Sequence, residues 1–190
     1  MSFDRVVVQC GAPALCGIKT ASLFSMRMDL YADGCEKISG WNRIFRQSGT
    51  VILPIQRKED FMLFFVYNPE LIKARLAQKN VRHYLAKKNY PVEKGFDAVL
   101  YELVFRLMRF GEFPHEIGIF LGYPLEDVVQ FEKQNGKGFC YSGYWKVYKN
   151  KNRAVAQMNE YKTCCCRCLE FLEMGMSVPE IAETYRNCCA

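Results

Sequence analysis

The sequence predicts an α+β protein: a small, mainly antiparallel sheet packed by helices, with a helix-turn-helix-like corner and a helical C-terminal third. Three observations carry this expectation. Runs rich in β-branched and aromatic residues occur as short segments at Arg5 to Gln9, Thr50 to Asn68 and Phe139 to Tyr148. Elsewhere apolar residues recur at three- and four-residue steps, the period of a helix with one buried face. Finally, Phe113 to Phe131, FPHEIGIFLGYPLEDVVQF, spells two short helices that meet at a glycine turn. On this reading residues 1–150 form the core domain and residues 151–190 a helical extension packed on it.

Composition sets the outer bounds. A chain of 190 residues with 50% hydrophobic and 14% aromatic residues has the means to bury a sizeable core and is not disordered. No apolar run approaches the ~18 to 20 residues a membrane span needs, and the opening MSFDRVVVQCG lacks a basic segment followed by an apolar one. The expected location is therefore the cytoplasm, with no membrane partner. There, ten cysteines read as reduced thiols or metal ligands rather than as a disulfide framework.

Taken in order, the β-branched run RVVVQ suggests a first strand. The glycines and proline of Cys10 to Phe24, CGAPALCGIKTASLF, suggest a sharp turn beyond it, where ligands often sit, with Thr20 capping a short helix through Leu23 and Phe24. Ile38, Trp41, Ile44 and Phe45 make an amphipathic helix that Gly49 ends. TVILPIQ and DFMLFFVYN, joined by Arg57-Lys58-Glu59, read as a hairpin, and Pro54 assigns the first of them to an edge or a bulge. Two helices follow, Pro69 to Gln78 and Val81 to Lys88, broken at Asn89-Tyr90-Pro91. Glu93 to Phe110 is expected as the core helix, with Phe96, Val99, Leu100, Leu103, Leu107 and Met108 inward. After the corner, FCYSGYWKVY reads as a strand pair irregular at Gly143 that joins the sheet. Ala154, Met158, Tyr161, Cys165, Cys168 and Leu172 mark the seam of a long helix ended by Gly175, and Ser177 caps a last helix with Pro179 in its first turn.

Within the corner, Pro114 suits a first helical position, Gly122 a left-handed C-terminal turn, and small Gly118 the close crossing of two helices. A DNA-reading helix would present its N-terminal residues to bases and phosphates. Here those positions carry Glu126 and Asp127, which repel phosphate, so a packed helical corner is favoured over base reading. The basic surplus lies elsewhere. Between Glu70 and Lys94, seven cations (Lys73, Arg75, Lys79, Arg82, Lys87, Lys88 and Lys94) stand against two carboxylates, a face suited to an anionic ligand or an acidic protein partner, or simply to water.

Candidate site chemistry is sparse. There is no phosphate-binding glycine loop, dinucleotide fingerprint, HExxH or nucleophile elbow, so no catalytic residue, cofactor or metal is assigned. Cys164, Cys165, Cys166 and Cys168 with Cys188 and Cys189 tempt a metal reading, but Cys165 and Cys168 fall on an apolar helical seam where cysteine acts as a small hydrophobe. His115 and Glu116 stand at a helix start. The ligand-binding candidates are Cys10, Lys19, His115, Glu116, Tyr123, Tyr144, Trp145 and Lys146, drawn from three irregular segments that each end a regular element.

The stretches CGAPALCGIKTASLF, FPHEIGIFLGYPLEDV and SGYWKVY resemble a bacterial family of small proteins catalogued as domain of unknown function 3793, over most of the chain from about Val6 to Tyr161. The resemblance supplies no activity. It implies a cytosolic role linked to iron or redox physiology, and it does not require the cysteines after Thr163. The favoured function is thus a non-catalytic binding or accessory protein. The alternatives are a helix-turn-helix nucleic-acid binder and a thiol enzyme using Cys10 or Cys16 with His115 as base.

Overall fold

A computed structural model describes residues 2–31, 34–58, 60–109 and 113–189, without the side chains of residues 30, 56–58 and 189. Glu59 and Phe110, placed above in the hairpin link and the core helix, lie outside the described residues. The fold is α+β, and the chain groups into two compact units: residues 1–69 with 160–190, and residues 70–159.

The first unit opens on a helix, α1 (Phe3–Leu15), not the strand expected at Arg5 to Gln9. Ser2 caps it, its hydroxyl accepting from the Arg5 N–H at 3.3 Å, and Asp4 complements the helix dipole in the first turn. Val6, Val7 and Val8 are all buried, and this burial outweighs the β preference of the branched side chains. Gly17, with φ of +78°, turns the chain into β1 (Ala21–Arg27), where a short capped helix was expected.

After α2 (Gly34–Phe45), which buries Ile38, Trp41 and Phe45 but leaves Ile44 exposed, come β2 (Val51–Lys58) and β3 (Phe61–Tyr67). The expected hairpin is present, and the sheet is antiparallel in the order β1-β3-β2. Pro54 thus occupies an edge strand, and the ladder shifts register between Gln56 and Lys58. Central β3 is buried from Met62 to Tyr67, as a continuous apolar run requires. Phe64 anchors one face, with Phe24, Phe3 and Tyr31 rings 5.5, 6.0 and 5.3 Å from its own. Full burial of such a ring stabilises by roughly 2 to 3 kcal/mol.

The same core takes residues from the far end of the chain: Cys164, Cys168 and Phe171 of α8 (Lys151–Glu173), and Val178, Ile181, Ala182 and Tyr185 of α9 (Val178–Cys189). The buried seam of α8 runs Ala154, Met158, Tyr161, Cys164, Cys168 and Phe171, so the expected Cys165 and Leu172 are each displaced by the residue before them. A 3.6-residue period drifts from an alternating four-three pattern over this length. Glu180 closes the cap of α9, accepting from the Ser177 N–H at 2.8 Å and hydroxyl at 2.6 Å.

The second unit contains α3 (Pro69–Leu76, whose Pro69 belongs to the first), α4 (Lys79–Lys87), α5 (Phe96–Met108), the one-turn α6 (Ile117–Phe120) and α7 (Leu125–Lys133). Of the expected α5 stripe, Val99, Leu103 and Leu107 are buried, whereas Met108 is exposed. Gly122 ends the corner's first arm at φ +83°, and the Tyr123 N–H reaches back to the Gly118 carbonyl at 2.8 Å. A Cβ on Gly118 would stand 2.8 Å from Val128 Cγ2 and 3.1 Å from the Tyr123 ring, so the close crossing is real. Beyond it, among the described residues, β4 (Tyr141–Ser142) and β5 (Lys146–Val147) pair only with each other, as a two-stranded ribbon apart from the three-stranded sheet.

Candidate functional site

One arm of the corner, α7 and the β4–β5 ribbon enclose a cleft of about 350 Å³ in the second unit, within the range of small-molecule sites. Phe113, His115, Tyr123, Phe131, Tyr144 and Trp145 supply its aromatic walls, and Lys146 its cation. The Tyr123 and Trp145 rings stack at 5.0 Å and 24°, while His115 meets Phe131 edge-on at 5.1 Å. His115 is exposed, so its imidazole is open to water and to a ligand. The Lys146 ammonium donates to the Gly136 carbonyl at 2.8 Å and lies 4.8 Å from the Phe139 ring centroid and 5.7 Å from that of Phe131. It is a cation held among rings, where its charge is less screened than at an open surface.

Asp127 holds this arrangement together. At 2% exposure its carboxylate accepts from the Trp145 indole N–H at 2.8 Å and from the backbone N–H groups of Tyr148 and Lys149 at 2.8 and 3.3 Å. The residue expected to repel phosphate therefore serves to fasten the ribbon onto the first turn of α7. A recognition helix so occupied has little left to offer a base edge.

Glu116, next to His115 in sequence, is drawn into a different set of contacts. At 6% exposure it accepts from Arg106 at 2.8 Å and from the Tyr90 hydroxyl at 3.2 Å. Arg106 also donates to Glu102 at 2.6 Å and to the Lys88 carbonyl at 2.8 Å, with its guanidinium 4.1 Å from the centroid of the Tyr90 ring. Burial first, then the Glu116 charge, pushes the Tyr90 phenol up. The basic helices are likewise partly spent on ion pairs: Lys73 with Glu70, Arg82 with Glu93 and Lys88 with Glu132, while Arg75 donates to the Tyr123 carbonyl.

Of the eight residues singled out in the sequence, five therefore line one cleft: His115, Tyr123, Tyr144, Trp145 and Lys146. Cys10 and Lys19 belong to the first unit. Cys10 is exposed on α1 rather than in a loop. Lys19 is buried, with its ammonium 5.8 Å from the Tyr161 ring centroid, and burial pulls its pKa down to about 8. Phe131 and Asp127 escaped the sequence reading, the first as an ordinary apolar position and the second as a surface charge.

A second arrangement lies in the first unit. Cys16, just beyond α1, meets Cys164 and Cys168 of α8, with all three Sγ atoms within 4.8 Å of one another. The Cys16 and Cys168 sulfurs are 3.5 Å apart and those of Cys164 and Cys168 4.0 Å; exposures are 4, 0 and 0% for Cys16, Cys164 and Cys168. Hydrogen bonding from Cys16 and Cys164 lowers Cys168, against the opposing effect of burial. For Cys16 the Cys164 contact lowers the pKa, but the Cys168 contact and burial outweigh it, leaving the thiol raised. Thiols, not a histidine, surround Cys16, which is a poor setting for an acyl-transfer nucleophile. No sequence motif joins positions so far apart; the only local sign was the four-residue step between Cys164 and Cys168.

Among the described residues no helix is long and apolar enough to cross a membrane. The family described as "Protein of unknown function (DUF3793)" matches residues 6–182, and the chain belongs to it. No curated protein and no solved structure matches the chain.

Proposed function

We propose that this member of DUF3793 is a non-catalytic binding protein whose second unit takes a flat aromatic ligand bearing an anionic or hydrogen-bond-accepting group. The observation that carries the reading is the cleft itself: stacked Tyr123 and Trp145 on one side, Phe131 and His115 on another, and the Lys146 ammonium between rings. Aromatic walls favour a planar ligand through offset stacking, worth ~0.5 to 1.5 kcal/mol per ring pair beyond burial. An ammonium has three protons, and the Gly136 carbonyl takes one of them at 2.8 Å. His115 adds a ring nitrogen at the rim.

Nucleic-acid binding through α7 is the weaker reading, because Asp127 is committed to the ribbon and Glu126 stands exposed beside it. The link to iron or redox physiology that the family resemblance implies belongs to the same cleft, since redox-active heterocycles are flat and many carry phosphate. Anaerobically purified protein would reveal such a chromophore in its absorption spectrum.

The direct test is titration with 8-anilinonaphthalene-1-sulfonate and with flavin mononucleotide, read by probe fluorescence and by quenching of Trp145. Saturable binding that falls at least tenfold in Lys146→Met and His115→Ala, with melting temperatures unchanged, is the expected result. Equal binding by both variants and the parent removes the cleft as the site.

A further inference from the structure

We infer that Cys16, Cys164 and Cys168 form a binding site for one thiophilic d10 metal ion, and that the ion it suits is Cu(I) in three-coordinate thiolate geometry. The site is separate from the aromatic cleft and does not depend on the function proposed for it.

The site is a triangle of sulfurs. Three thiolates placed ~2.3 Å from a central ion in a trigonal plane stand ~4.0 Å from one another. Here two edges are 3.5 and 4.0 Å, and the third is within 4.8 Å. Small side-chain rotations close that difference. Two of the ligands come from one helix face four residues apart, on α8, so their spacing is fixed by the helix itself. The third is delivered by the C-terminal end of α1, just ahead of the left-handed Gly17. All three are buried in the core shared by α1, α8 and α9.

The donor set selects the ion. Thiolate sulfur is soft and favours Cu(I), zinc and iron clusters over hard cations. Structural zinc is almost always four-coordinate, whereas the group of ligand atoms here, among the described residues, numbers three. A zinc ion using water as its fourth ligand needs an open position, and the two helical cysteines have no exposure. Cu(I), with a filled d shell, is satisfied by three sulfurs and no water.

Loading places one monovalent ion on three thiolates, so the occupied site carries a charge of −2, and whatever protons the thiols held leave to solvent. No electron is transferred. Such a charge in a core needs compensation, and a guanidinium is at hand. The Arg186 guanidinium, held by the Leu15 carbonyl at 2.9 Å, acts on Cys16 and lowers its pKa.

The test is anaerobic Cu(I) titration of the full chain in competition with bathocuproine disulfonate. The exposed Cys166 and the terminal Cys188 and Cys189 are changed to serine beforehand, to suppress adventitious binding. This background protein is expected to retain one equivalent against the chelator. Cys16→Ser, Cys164→Ser and Cys168→Ser should each weaken that retention at least tenfold, and Cys10→Ser should not. Because a serine in the core is able to disturb folding, X-ray absorption on the loaded background protein supplies an independent reading, with three sulfurs and no nitrogen or oxygen expected around copper. Surrender of all Cu(I) to the chelator, full retention by the triad variants, or a coordination sphere with fewer than three sulfurs would each overturn the assignment. So would finding Cys16 and Cys168 joined as a disulfide in protein that takes no Cu(I) after reduction.

Discussion

Replacing Asp127 with alanine should release the ribbon from the corner, and the size of the effect follows from its three contacts. The carboxylate accepts two bonds at 2.8 Å and one at 3.3 Å. Hydrogen bonds to a charged acceptor contribute ~1.5 to 3 kcal/mol each, and a buried donor left unpaired loses its hydration as well. Trp145 is 7% exposed, so its indole N–H has no ready substitute, whereas Tyr148 is half-buried and its N–H recovers partly in water. Taking the Trp145 bond at ~2 to 3 kcal/mol and the two backbone bonds, whose N–H groups water partly satisfies, at ~1 kcal/mol together gives a loss of about 3 to 4 kcal/mol. Asparagine keeps one carbonyl oxygen and should lose about half as much. Urea unfolding followed by tryptophan fluorescence measures the stability, and exchange of the Trp145 indole proton by NMR reports whether the ribbon has detached. Asp127→Ala with a loss below ~1 kcal/mol and an indole proton as protected as in the parent would show that the carboxylate does not fasten the ribbon.

Three further expectations rest on single contacts. Burial lowers Lys19 from 10.5 to about 8, so between those values the unfolded chain holds more protons than the folded one, and stability rises with pH. The gain from pH 7 to pH 9 is ~1.3 kcal/mol, and it should vanish in Lys19→Met when unfolding is followed through Trp41 in a Trp145→Phe background; an undiminished rise would place its origin elsewhere. Gly118→Ala should destabilise by ~1 to 3 kcal/mol through its approach to Val128, and Val128→Ala should restore much of this in a double-mutant cycle, additivity being the adverse outcome. Arg106→Met strands the Glu116 carboxylate and should lose ~2 to 3 kcal/mol, the rim position of Arg106 tempering the loss, with Arg106→Met/Glu116→Gln more stable than the single variant; if the second change fails to help, the ion pair is not the source.

What could be read in the sequence was mostly what neighbours decide. The hairpin around β2 and β3, the turn at Gly122 and the capped start of α9 all depend on residues within a few positions, and each is found. Val6, Val7 and Val8 misled because strand preference is a statement about half-buried surfaces, and a capped helix buried by distant partners overrides it. The ribbon at Phe139 to Tyr148 had the composition of a sheet strand, but nothing local states which strand a segment pairs with. At the cleft, the irregular aromatic segment had suggested Tyr144, Trp145 and Lys146 beside His115, and these four side chains line the same space. Asp127 was misjudged because its charge was visible and its burial was not. The contact of Cys16 with Cys168 spans 152 positions and leaves no trace in spacing.

The first unit draws on residues 1–69 and 160–190. During synthesis from the N-terminus, α1, α2 and the three strands emerge long before the helices that complete their core. At ~5 to 20 residues per second, the intervening stretch keeps Phe3, Val7 and Trp41 waiting for roughly 5 to 20 seconds. For that interval the nascent chain carries an unfinished apolar surface of the kind chaperones bind, and the Cys16 thiol stands open to oxidants until its two partners leave the exit tunnel.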